Sequence, residues 1–213
     1  MVKQASQSRA ATDKAEQPRD SPAGALAYAP PLSVSRPALL DAGRDDRFRE
    51  MIYGLFTAGA RFGGIREAFG REIGITGAQY FVLIATAHHA AGEGIGIRTL
   101  ADYLHVASSH VTTEVGKLVR AGLLAKRANP NDGRGVLVSV TEKGRAGLAL
   151  LAPFRQAVND ILFRDLSRHD FSVMAEFIGK FIASTEAAVD YIETHHQQRK
   201  RAAKARQYGP ARL

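Results

Sequence analysis

Two short apolar periodicities separated by three residues constrain this chain more than any other feature. Leu100, Ala101 and Leu104 recur at helical spacing, His105-Val106-Ala107 intervenes, and Val111, Val115, Leu118 and Val119 then follow at i, i+4, i+7 and i+8. Gly122 stands where a helix ends on a left-handed residue. Beyond it, two strand-like runs, Leu123 to Ala128 and Val136 to Val140, flank the turn-forming Asn129-Pro130-Asn131-Asp132-Gly133 and predict a hairpin. Neither helix is long enough to be stable alone, so both must close on a shared core. Closing that core leaves one face of the second helix outside.

The outward face carries Ser109, His110, Thr112, Thr113, Gly116, Lys117 and Arg120, with Ser108 beside them at the helix start. Short hydrogen-bonding side chains at the start and cations toward the end suit the major groove of B-DNA, whose base edges offer both donors and acceptors. A helix N-terminus also favours a phosphate. Arg134 at the hairpin tip suits the adjacent minor groove, where narrow A·T stretches attract a guanidinium. Asp132 is read as support for that turn rather than a contact. Helix, tight turn, helix and hairpin make a winged helix-turn-helix, so the expected fold class is mainly α with a small α+β winged-helix lobe.

The lobe is expected over about residues 73–140, inside a domain spanning 46–196. Helical spacing also marks the segment from Phe48 to Phe69, the one from Thr141 through Leu148, Leu151, Phe154, Val158 and Ile161, and Asp170 to Glu193. Thr76-Gly77-Ala78-Gln79 reads as a capping box that starts a helix running to His88. Ile95-Gly96-Ile97 reads as a short strand. The apolar residues of 46–70 and 141–195 exceed what a thin winged lobe covers, which predicts a helical dimerisation lobe and a homodimer.

Leu100-Ala101-Asp102-Tyr103-Leu104, Val111-Thr112, Ala121-Gly122-Leu123-Leu124, Asp132-Gly133-Arg134 and Val138-Ser139-Val140-Thr141-Glu142-Lys143-Gly144 resemble the MarR (multiple antibiotic resistance regulator) family over roughly residues 48–195. The resemblance implies a regulator that binds a pseudo-palindromic operator in double-stranded DNA, a repressor released by a small effector. It also makes Arg66 a candidate carboxylate anchor for an aromatic acid held between the DNA-binding and dimer lobes. The plainer reading of Arg66, on the seam with Phe48, Leu55 and Phe62, is an ion pair across the dimer or a snorkelling side chain. His105 stands where the family usually has Gly, and Ala107 where it usually has Ser. Ser108 is therefore expected to cap the second helix one residue later.

Charge agrees with a polyanionic partner once it is located. The chain carries 29 Lys+Arg against 21 Asp+Glu, but residues 197–213 alone hold Arg199, Lys200, Arg201, Lys204, Arg206 and Arg212 with no acid. Residues 94–145 hold eight basic groups against four acidic ones. The Pro-rich segment 1–45 has few large apolar residues and is expected to be a disordered arm, with 197–213 a disordered basic tail. No cysteine occurs, which excludes disulfides, thiolate metal sites and thiol-based catalysis or redox sensing.

No nucleophile–base–acid set stands out, so the chain is not read as an enzyme, and no cofactor is expected. His88-His89 and His195-His196 are adjacent pairs without the i,i+4 spacing of helical zinc ligands, so no metal site is assigned. The uncharged stretch Ile73 to Gly92 reads as a buried helix rather than a span, and no signal core appears. A cytoplasmic protein without membrane contact is expected. Two other readings stand beside the regulator: a non-specific architectural nucleic-acid-binding protein, and a metal-responsive regulator.

Overall fold

The structure, a computed structural model, describes residues 28, 30–90, 94–130 and 132–207, the side chains of 132–134 and 205–207 excepted. Residues 1–27 of the expected arm, the helix end expected at Gly92-Glu93 and the last tail residues, 208–213, lie outside the described residues. The chain divides into two compact units, Met1–Ala60 and Arg61–Leu213. Helix α1 (Asp46–Glu72) begins in the first and ends in the second.

In the first unit, the end of the expected arm is tied down by polar contacts. Pro37–Leu39 form a 3-10 turn, and the Asp41 amide donates to the Arg44 carbonyl at 2.8 Å. Asp45 is buried and accepts from the Ser33 amide at 2.6 Å, the Ser33 hydroxyl at 2.5 Å and Arg49 Nε at 3.0 Å. Arg49 also donates to the Pro31 carbonyl at 2.6 Å. The Arg49 guanidinium and the two Ser33 donors hold the Asp45 carboxyl well below the usual carboxylate range. Apolar content is a poor guide here, because this clasp is built from hydrogen bonds.

The second unit holds the helix-turn-helix. Thr76 starts α2 (Gly77–His89) with the expected capping box, its hydroxyl accepting from the Gln79 amide while Gln79 Oε1 accepts from the Thr76 amide. Strand β1 (Ile95–Gly96) leads directly into α3 (Ile97–Leu104), and α4 (Ser108–Arg120) follows the turn. Gly122, at φ 73°, ends α4 in the left-handed region. Strands β2 (Leu124–Asn129) and β3 (Asp132–Val140) form an antiparallel sheet of order β1-β3-β2, with Ile95 and Lys126 both opposite Val138. The hairpin is longer than the periodicity predicts, since Asp132 already pairs with Asn129.

The core follows the predicted stripe. Val111, Val115 and Leu118 of α4 are fully buried with Leu83, Leu100 and Val138, and Val119 packs half-buried against them. Thr141 then joins the lobe to α5 (Glu142–Leu162): its hydroxyl donates to the Gly122 carbonyl at 2.7 Å and accepts from the Gly144 amide at 3.0 Å. A second cluster sets Phe69 edge-on to both Tyr80 and Phe154, beside buried Leu151.

Helix α6 (Arg168–Gln207) opens on a reciprocal cap between Ser167 and Asp170, whose hydrogen bonds lower the Asp170 pKa. It runs on through residues 197–207, where the basic run predicts a disordered tail. Residues 194–207 are mostly Ala, Gln, Lys and Arg without Gly or Pro, and such a stretch propagates a helix already nucleated. Phe154 and Ile161 of α5, with Phe171, Phe177, Ile178 and Ile192 of α6, leave apolar surface exposed. Among the described residues no helix is long and apolar enough to cross a membrane.

Candidate nucleic-acid interface

Helix α4 is oriented by its buried stripe, and the residues expected to face a groove stand on its other side. Ser108, Ser109, His110, Thr112, Thr113, Lys117 and Arg120 are all exposed. Thr112 donates its hydroxyl proton to the Ser108 carbonyl at 2.8 Å, and Thr113 donates to the Ser109 carbonyl at 3.0 Å. Both hydroxyls therefore turn lone pairs and a methyl group outward. Those match the amino donors of cytosine or adenine and the methyl of thymine.

The start of α4 departs from expectation. Ala107, with φ −61° and ψ 135°, is the N-cap and supplies no side-chain bond, while Ser108 is already the first helical residue. Ser108 therefore does not cap the helix, because the chain has turned helical before its hydroxyl can reach back. The His110 and Val111 amides both donate to the Ala107 carbonyl. The amides of Ser108 and Ser109, at N1 and N2, have no carbonyl a turn behind them, as in any first turn, and that end suits an anion.

Two side-chain groups make contacts that the sequence reading did not give. Glu114 sits on α4 with only 5% of its surface exposed. Its Oε1 accepts from Lys117 Nζ at 2.8 Å, whereas its buried Oε2 has no hydrogen-bond partner among the described residues. Lys117 is thus already engaged from within the helix. The second group is His105, held left-handed at φ 51°, whose Nδ1 lies 2.5 Å from Glu186 Oε1 on α6. The non-glycine turn residue signals a local conformation, but nothing in sequence spacing points to a partner so far along the chain.

Arg134 falls in β3, at the hairpin, and its side chain is outside the described residues. Arg66 stands apart from the α4 face: its guanidinium carbon lies 5.2 Å from the centre of the Phe81 ring, and its buried Nε has no hydrogen-bond partner among the described residues. Among the described residues no group of three or more His, Asp or Glu side chains converges to hold a metal.

Residues 73–135, the segment just described from α2 to the hairpin, match the MarR family model. Over that segment the chain is similar to the MarR family. MarR-family regulators are DNA-binding transcription factors and not enzymes. Over 110 residues the chain is 29% identical to the transcriptional activatory protein BadR of Rhodopseudomonas palustris, a match covering 51% of this chain and 63% of BadR, under two thirds of that relative's length. Among solved structures, a MarR protein from Peptoclostridium difficile aligns with a TM-score of 0.56 at 20% identity, covering 64% of this chain and 87% of that one. CouR from Rhodococcus jostii, bound to p-coumaroyl-CoA, gives 0.56 at 21% identity over 62% and 90%. MOSR from M. tuberculosis in complex with DNA gives 0.52 at 22% over 64% and 96%. At these identities the likeness is one of fold. At the turn of this segment His105 carries a bond to α6.

Proposed function

We propose that the chain is a homodimeric, sequence-specific transcriptional regulator whose paired α4 helices read two half-sites of a pseudo-palindromic operator. The observation that carries this reading is the polar and cationic face of α4, seven exposed side chains set opposite a fully buried stripe. Ser108, Ser109, His110, Thr112 and Thr113 serve as base or phosphate contacts at the helix start. Lys117 and Arg120 meet phosphates, and Arg134 enters the minor groove. The exposed apolar residues of α5 and α6 favour pairing with a second copy. A small acid that draws on Arg66, whose buried Nε has no partner among the described residues and lies by the Phe81 ring, releases the dimer from DNA. The p-coumaroyl-CoA bound by CouR supports a ligand with an aromatic part.

The test combines sedimentation with fluorescence anisotropy on an operator selected from random duplexes and on its scrambled form. A regulator sediments as a dimer and keeps a large affinity ratio at every salt concentration, whereas an architectural protein loses the ratio. Because the chain has no cysteine, mild peroxide leaves binding intact while an aromatic acid lowers it. Release implies repression where the operator overlaps a promoter. BadR is described as an activatory protein, so a reporter fusion that registers either sign settles the direction.

A further inference from the structure

Helix α6 does not stop at the helix-turn-helix. It passes the turn, where His105, Val106 and Ala107 face Glu186, Val189 and Asp190 across a groove of about 490 Å³, and an exposed His105–Glu186 bond links the two there. Ala107 is the N-cap of α4, so α6 runs beside the very end of the helix that reads DNA. From Glu186 it continues in helical form, which places Arg199 about 20 Å and Lys204 about 27 Å further along its axis.

This extension is built for a polyanion. After Glu193 the helix carries no acid, and Arg199, Lys200, Arg201 and Lys204 are all exposed. Residues 194–207 contain no large apolar side chain, so the segment has nothing to bury against a protein surface. The helix dipole favours cations only within the last turn, and these begin two turns from the end. Lys200 and Lys204 at i,i+4, with Arg201 and Lys204 at i,i+3, repel one another in the free chain. Phosphates relieve that repulsion.

We propose that residues 199–204 of α6 form a second DNA-contact element that grips the phosphate backbone flanking the operator, positioned by the His105–Glu186 bond at the turn. The proposal rests on the DNA-binding reading of α4. It assigns the extension to affinity, not to sequence choice, because phosphates carry no base identity.

The full chain and the quadruple variant Arg199→Gln/Lys200→Gln/Arg201→Gln/Lys204→Gln are titrated by anisotropy between about 50 and 200 mM salt. One duplex carries the operator alone and the other adds about one helical turn on each side. On the longer duplex the variant's slope of log affinity against log salt becomes shallower by about 0.9 for each phosphate no longer neutralised, at least about 3 for a dimer. The ratio of operator to scrambled DNA stays within about twofold, and the wild type's gain from the added flanks disappears. The charge-retaining pair Arg199→Lys/Arg201→Lys keeps the wild-type slope, which separates an effect of charge from an effect of helix content.

An unchanged slope in a quadruple variant with wild-type circular dichroism overturns the proposal and leaves the α4 reading standing. So does loss of binding to anionic vesicles or to an acidic protein with the DNA slope unchanged, and so does a collapse of the operator ratio. A wild type with no preference for the operator overturns the α4 reading itself, and this proposal with it.

Discussion

Replacing Glu114 by Gln should tighten operator binding, although Glu114 touches no solvent-facing surface of α4. Lys117 Nζ lies 2.8 Å from Glu114 Oε1, with the lysine side chain 45% exposed and the glutamate 7% exposed. To reach a phosphate, Lys117 must give up that partner and leave a carboxylate buried with neither oxygen satisfied, since Oε2 is already unpartnered. A half-exposed pair of this kind is worth about 1 kcal/mol net. Gln, nearly the same shape, removes the charge that holds the ammonium. The saving per dimer is about 2 kcal/mol, roughly a thirtyfold gain in affinity. It should appear on operator and scrambled DNA alike, with the salt slope steeper by about 0.9 for each lysine freed. Anisotropy titrations on Glu114→Gln, Lys117→Gln and the double variant close the cycle. If the gain runs through Lys117, Glu114→Gln does nothing in the Lys117→Gln background. Unchanged or weaker binding in the single variant, or a gain that persists without Lys117, refutes the competition.

Arg134→Ala should weaken operator binding by about 1–3 kcal/mol with an unaltered thermal melt, as measured by anisotropy and calorimetry. Gly144→Ala should destabilise the lobe by about 3 kcal/mol, because its Cβ would collide with the Leu123 carbonyl oxygen and sit 2.7 Å from Val140 Cγ1, neither of which yields easily; the melt should fall by roughly 6–12 °C. In the first unit, the depressed Asp45 pKa contributes stability above the carboxylate's unfolded pKa, near about 3.9, and loses it as pH falls through the lower folded value. The Ser33 amide should lose exchange protection progressively as pH falls below about 3.9 toward that lower folded value, whereas Asp45→Asn should leave the amide weakly protected at neutral pH.

The winged lobe was legible because its sequence rules agree with one another. The Val111, Val115 and Leu118 stripe is the buried one, the Thr76 and Gln79 box caps α2, and Gly122 ends α4 left-handed. Each of these is a local rule that packing reinforced. Where the reading failed, the decisive interaction was non-local or polar. The Ser33–Asp45–Arg49 clasp has no hydrophobic signature, and α6 outran its apolar pattern on helix propensity alone. Glu114 was missed for a different reason. A helical wheel sorts positions into faces, and Glu114 sits at the border, where the neighbouring surface and not the period decides its burial.

The buried stripe also limits how an effector can act. Lowering operator affinity a hundredfold needs a coupling of about 2.7 kcal/mol between the two ligands. Sliding or unwinding α4 within its lobe would expose Val111, Val115 and Leu118, each fully buried, at about 1.5–3 kcal/mol apiece. That total, some 5–9 kcal/mol, is two to three times what the signal supplies. On the proposed dimer, an effector of that strength would leave α4 packed and change the spacing of the two lobes from about 34 Å, one turn of DNA. Exchange protection of the Val115 and Leu118 amides should stay unchanged on adding an acid that releases the operator, while a distance label pair on Thr113 of the two protomers should shift. A drop in protection at those amides comparable to the loss in DNA binding would place the switch inside the lobe and refute the rigid-body account.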